Sequence, residues 1–130
     1  MIFETENDLR IKEKAITTFV NTFGGSFKKL DPTDVDYKVF DNQGKLIAYA
    51  HVRPVIKTMR NAYPLPAFAK KVVKLIDKRL APVIIWSCED GIIYGRANKL
   101  RGEIIYDNSS SLELIIYYER QKGFKYIRFV

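Results

Sequence analysis

Few side chains in this sequence are equipped for chemistry, and the reactive types occur once each. There is one histidine, His51, and one cysteine, Cys88. A zinc cage needs about four Cys or His ligands, so none is expected. Cys88 has no base in sequence reach to activate it and cannot form an intramolecular disulfide by itself. His51 precedes Arg53 by two residues in the stretch Leu46-Ile47-Ala48-Tyr49-Ala50-His51-Val52-Arg53. On a strand, residues i and i+2 share a face, so this imidazole and guanidinium point the same way. Imidazole can ligate a metal or move a proton near neutral pH. Arginine stays charged, so it can clamp a phosphate but cannot serve as a base. No phosphate-cradling glycine loop and no Gly-x-Ser-x-Gly elbow is present.

The charge gives a second indication. The chain has 130 residues and a formal net charge of +7, a balance that attracts polyanions such as nucleic acid. From Arg53 to Arg79 there are eight basic residues and one acid, Asp77, so this stretch accounts for the net charge. Lys70, Lys74 and Lys78 are spaced i, i+4 and form one stripe on a helix. With Arg53, Lys57 and Arg60 they are the expected phosphate contacts. Tyr49 and Tyr63 are candidates for stacking on bases.

The elements that must carry these residues follow from the hydrophobic pattern. The sequence is 47% hydrophobic, enough for one compact domain spanning 1–130. Residues 5–23 read as a helix, with Thr5 and Asp8 as a capping pair and Gly24-Gly25 as its stop. Strands are expected at Phe27–Leu30, Val35–Asp41 and Lys45–Arg53, the last two joined by an Asn42-Gln43-Gly44 turn. Residues 55–63 show no clean period. Pro64-Leu65-Pro66 is expected to open a second helix over about 66–79, with Phe68, Val72, Leu75 and Ile76 as its apolar face. Pro82–Trp86 is a continuous apolar run, the mark of a buried strand. A β-rich extension over about 91–130 follows, with strands at Ile92–Arg96, Glu103–Tyr106, Leu112–Glu119 and Phe124–Val130 and a turn at Asp107–Ser111. No apolar run reaches ~18 residues, so no transmembrane helix is expected. Met1–Glu6 is acidic and lacks an apolar h-region, so no secretory signal is expected, and a cytoplasmic location fits the single cysteine. Asn108-Ser109-Ser110 matches a glycosylation sequon but reads as a turn in that setting.

This order of elements, with Asp36 opening the second strand and His51-Val52-Arg53 ending the third, resembles the PD-(D/E)XK nuclease superfamily. The resemblance covers about Glu6 to Trp86, with the core taken as about 5–86. It implies an α/β (α+β) fold with a restriction-endonuclease-like α-β-β-β-α-β core, a central mixed sheet flanked by helices, and the β-rich extension outside that core. In the family an Asp and a Glu bind a hard divalent cation, and a Lys two residues after the Glu positions the attacking water. This sequence has His51-Val52-Arg53 where the family has Glu-x-Lys. Carried over, Asp36 and Glu13 would hold Mg²⁺ or Mn²⁺, His51 would be ligand or base, and Arg53 would stabilise charge at the phosphate. Glu13 shares a helical stripe with Ile16 and Val20, so it can face the sheet.

The expected function is nucleic-acid binding, DNA before RNA, by a nuclease-like protein with an altered catalytic site. The first alternative is an active metal-dependent phosphodiester hydrolase using Glu13, Asp36, His51 and Arg53. The second is a non-catalytic interaction or dimerisation module built on the apolar tail. A homodimer is common for the family that the chain resembles, and no membrane partner is expected.

Overall fold

The computed structural model describes residues 5–106 and 113–130. The expected turn at Asp107–Ser111, the sequon at Asn108, the strand start at Leu112 and the segment Met1–Glu4 lie outside these residues. The first helix, α1, runs Glu6–Asn21. The Asp8 amide donates to the Thr5 hydroxyl at 3.1 Å, and the Thr5 amide donates back to the Asp8 carboxylate at 3.4 Å. This reciprocal cap satisfies two of the helix's unpaired amides. At the other end the Gly25 amide donates to the Val20 carbonyl at 2.9 Å. Gly24 there takes a φ of +69°, which suits a residue without a Cβ.

Three strands follow as an antiparallel meander: β1 (Ser26–Lys29), β2 (Tyr37–Phe40) and β3 (Leu46–Pro54). After a short 3-10 turn at Met59–Asn61 come β4 (Leu65–Phe68), α2 (Ala69–Asp77), β5 (Ala81–Ser87) and β6 (Gly91–Arg96). The chain ends with β7 (Glu103–Tyr106), β8 (Leu114–Tyr118) and β9 (Lys125–Arg128). The fold is α+β. A six-stranded sheet has the order β1-β2-β3-β5-β6-β9, and a three-stranded sheet has the order β4-β8-β7. The main sheet is mixed: β3 and β5 are parallel, and the other pairs are antiparallel.

The second helix departs from expectation. Residues 65–68 form β4, and α2 begins only at Ala69. The Pro64-Leu65-Pro66 sequence looks like a helix opening, but Leu65 and Ala67 alternate inward and pair with Tyr118 and Ile116 of β8. Tertiary pairing overrides the local signal. The shorter helix buries Val72 and Leu75, leaving Val73 and Ile76 at 58% and 44% exposure.

Two cores sit on opposite faces of the main sheet. On one face Ala15, Ile16, Phe19 and Val20 of α1 pack on Val39, Ala50, Val52 and Ile85. On the other, Val72 and Leu75 of α2 and Leu65, Ala67 and Tyr118 of the small sheet pack on Ile84, Trp86 and Ile93. Trp86 is fully buried and donates from its indole nitrogen to the Pro66 carbonyl at 2.8 Å. It also meets Tyr118 and Phe124 edge-on, at 5.6 and 5.5 Å between centroids. Burying the indole with its N–H satisfied avoids the cost of an orphan donor. No described helix is long and apolar enough to cross a membrane.

Candidate functional site

The antiparallel register of β2 and β3 brings the expected Asp and His together. Tyr37 pairs with Ala50 and Val39 with Ala48, but Phe40 pairs with Leu46, so Ile47 is an extra residue on β3. This bulge shifts the register by one. One step beyond the Tyr37–Ala50 pair, Asp36 therefore stands opposite His51, whereas an unbulged hairpin would set it opposite Ala50.

The Asp36 carboxylate accepts from His51 Nδ1 at 2.8 Å and from the Val52 amide at 2.7 Å, both on Oδ2. Its Oδ1 lies 3.5 Å from Lys12 Nζ. Burial opposes ionisation of Asp36. The His51 hydrogen bond, the Lys12 ammonium and the Val52 amide outweigh it and hold the carboxyl down to about 2. His51 is lowered as well, for a different reason. Complete burial lowers its affinity for a proton, and the Asp36 hydrogen bond only partly offsets this. The ring is therefore neutral at pH 7. An ionised carboxylate can only accept, so the ring hydrogen sits on Nδ1 and the lone pair on Nε2.

Arg53 lies on the same face of β3, its guanidinium 4.1 Å above the Phe68 ring. His51 Nε2 and Arg53 Nη1 are both buried without a hydrogen-bond partner. The Asp36–His51 pair at the centre of the cluster is shielded from solvent, the His51 side chain being 3% exposed and that of Asp36 9%, while Arg53 is half-buried.

Glu13 does not join this cluster. It is exposed on α1, and Lys12 beside it is the residue that reaches Asp36. Buried Ala15 and Phe19 set the phase of the helix, and Lys12 lies three and seven residues before them. The acid side chain that would complete a hard-cation site is thus replaced by an ammonium. Mg²⁺ takes several oxygen ligands, and the cluster offers one carboxylate already holding three donors, so the residues do not fit that ion. Among the described residues, no group of three or more His, Cys, Asp or Glu gathers as a metal set.

The lysine stripe is also used differently from expectation. Lys71, absent from the expected stripe, donates to the carbonyls of Pro32, at 2.8 Å, and Asp34. Lys74 donates to the Thr33 carbonyl. Lys78 pairs with the Asp34 carboxylate at 2.9 Å and lies 5.2 Å from the Tyr49 ring centroid. Together they fasten the 31–34 loop that leads into Asp36, while Lys70 stays exposed. Cys88 is buried, and burial with the nearby Asp90 and Glu89 carboxylates pushes its thiol up to about 12, so it is not a nucleophile.

Cations open to solvent gather elsewhere. Arg60, Arg120, Tyr126 and Arg128 line an open cavity of about 430 Å³ with Met59 at its base. Arg120 donates to the Arg60 carbonyl at 3.1 Å and lies over the Tyr63 ring at 4.4 Å. The Tyr63 and Tyr126 hydroxyls hydrogen-bond to each other. Arg128 has only a loose contact with Asp90, at 3.9 Å. Among the described residues no carboxylate lines this cavity. Arg60 and Tyr63 were expected contacts; Arg120 and Arg128 were not, because they lie beyond the basic stretch and are brought in by β8 and β9. Lys57 is exposed.

Comparison of the chain with family models, curated proteins and solved structures finds no match.

Proposed function

We propose that this chain binds nucleic acid, DNA before RNA, and that its nuclease-like cluster supports the fold instead of cleaving. The observation that carries the reading is the arginine cavity: Arg60, Arg120 and Arg128 around Tyr126 with no lining carboxylate. Guanidinium groups match phosphate oxygens in geometry and charge, and an exposed tyrosine offers a stacking face for a base. The net charge of +7 supports the same reading.

The restriction-endonuclease-like assignment draws support from three features. The element order α1-β1-β2-β3-α2-β5 is interrupted only by β4 and a 3-10 turn; β3 and β5 are parallel; and the two helices lie on opposite faces of the sheet. In that reading Asp36, His51 and Arg53 occupy the places of the catalytic residues. The shielding of Asp36 and His51 and the Lys12 partner favour binding without hydrolysis, since a phosphodiester and its attacking water need access to the groups that would act on them.

The test is fluorescence anisotropy with labelled single-stranded, duplex and branched DNA. Affinity should fall steeply between about 50 and about 200 mM salt. Arg60→Glu with Arg120→Glu should weaken binding at least tenfold. Absence of salt-dependent binding to all three DNAs overturns the proposal. Cleavage with Mg²⁺ or Mn²⁺ that disappears in a folded Asp36→Ala variant overturns its non-cleaving half and restores the nuclease alternative. A second reading, an interaction module, rests on the outer strand β7, where Ile104 and Ile105 are 61% and 48% exposed. It calls for self-association that persists at high salt.

A further inference from the structure

A further cavity belongs to neither cluster. It is an open cleft of about 470 Å³ on the α1 face of the main sheet, beyond the end of the helix. Its floor is a row across three adjacent strands, Val39, Ala48 and Ala81, which the pairing of β2, β3 and β5 sets side by side. Val39 and Ala48 are themselves covered, and the open apolar surface of the cleft belongs to half-buried Ile47, Ala81, Phe23 and Tyr94. Phe19, Phe23 and Tyr94 form the wall, with Phe19 in edge contact with both rings, at 5.5 and 5.0 Å.

The rim has the opposite character. Arg96 follows Tyr94 by two residues on β6, and Lys125 pairs with Tyr94 across β9, so both stand beside that ring. Lys99 and Lys122 join them from the neighbouring loops. All four are exposed, and among the described residues no carboxylate lines the cleft. A neutral apolar guest would leave four like charges without a counterion. A bare phosphate would leave the aromatic wall wet. One chemistry answers both: an apolar body with a single anionic head. The volume lies in the range of small-molecule sites.

We propose that this cleft binds a single-chain alkyl carboxylate, its chain against Ile47, Ala81, Phe23 and Tyr94 and its head among Arg96, Lys99, Lys122 and Lys125. The site is independent of the nucleic-acid reading, because none of its lining residues lines the cavity of Arg60, Arg120 and Arg128.

The probe is dodecanoate below its micelle concentration, followed by calorimetry and by amide chemical shifts. Saturable binding at one site is expected, with shifts at Ala48, Ala81 and Tyr94. Lys99→Glu with Lys122→Glu, both on exposed loops, should weaken binding at least tenfold without changing the melting temperature. Ala81→Leu should fill the cleft and abolish binding while DNA affinity stays unchanged. Equal binding of dodecyltrimethylammonium, undiminished binding in either variant, or shifts away from the cleft would overturn the proposal.

Discussion

Asp36 and His51 form a buried hydrogen-bonded pair, and the lowered proton affinity of each makes an acid-range prediction. The Asp36 carboxyl is depressed from about 3.9 in an unfolded chain to about 2. Its stabilising contribution is therefore complete above the unfolded value and is lost as pH falls through about 2. Asp36→Ala removes the acceptor of two hydrogen bonds and the partner of Lys12, so a loss of about 3–5 kcal/mol is expected in urea denaturation at pH 7. His51 acts at milder pH. Its folded form resists protonation, so below about 6.5 the unfolded chain takes up a proton that the folded one refuses. Stability should decline from there by at most ~1.4 kcal/mol per pH unit. His51→Asn keeps an N–H for Asp36 and should flatten that slope, which urea midpoints measured from pH 7.5 to 5 will show. Much of this cluster was readable in advance. Strand alternation places His51 and Arg53 on one face, and the family resemblance points to Asp36. The bulge at Ile47 that sets Asp36 opposite His51 was not readable, because Ile47 resembles any other strand residue. Lys12 was missed for a related reason: the pattern Ile16, Val20 extends back equally well to 12 or 13.

At the scale of elements, the 31–34 loop and α2 behave as one unit. Lys71 and Lys78 flank buried Leu75 at the four- and three-residue spacings, which aims them at the loop carbonyls and at Asp34. Lys71→Met should release the loop and speed amide hydrogen exchange at Val35 and Asp36, with Lys70→Met as a silent control. The capping box of α1 is equally specific: Thr5→Ala should cost about 1 kcal/mol, read from a thermal melt. That cap was visible in the sequence because its two partners are three residues apart. The strand β4 was invisible because its partner β8 lies some fifty residues further along. Local pattern reports what a segment prefers, and a distant strand can pay for overriding it.

At the scale of the whole molecule, Trp86 joins the two sheets by a hydrogen bond and a ring contact, beside the packing of Ile84 and Ile93. Trp86 belongs to β5 of the main sheet, bonds to the Pro66 carbonyl of β4 and touches Tyr118 of β8. Trp86→Phe keeps an aromatic ring but leaves that carbonyl without its indole donor. A loss of about 1–3 kcal/mol is expected, with hydrogen exchange in β4, β7 and β8 rising before that in β3 and β5.

The pairing of β4 with β8 also has a consequence for the order of events during synthesis. As the chain emerges from its N-terminus, β1, β2 and β3 can close as local hairpins, and β5 and β6 can be added as soon as they appear. The small sheet cannot follow that sequence. β4 is made before α2, yet its partner spans Leu114–Tyr118. Until β8 is translated, β4 exposes a row of amides and carbonyls with Leu65 and Ala67 uncovered. The nascent chain thus carries an open strand edge while some fifty residues from β4 to β8 are made, and that interval is when a chaperone would have most to protect.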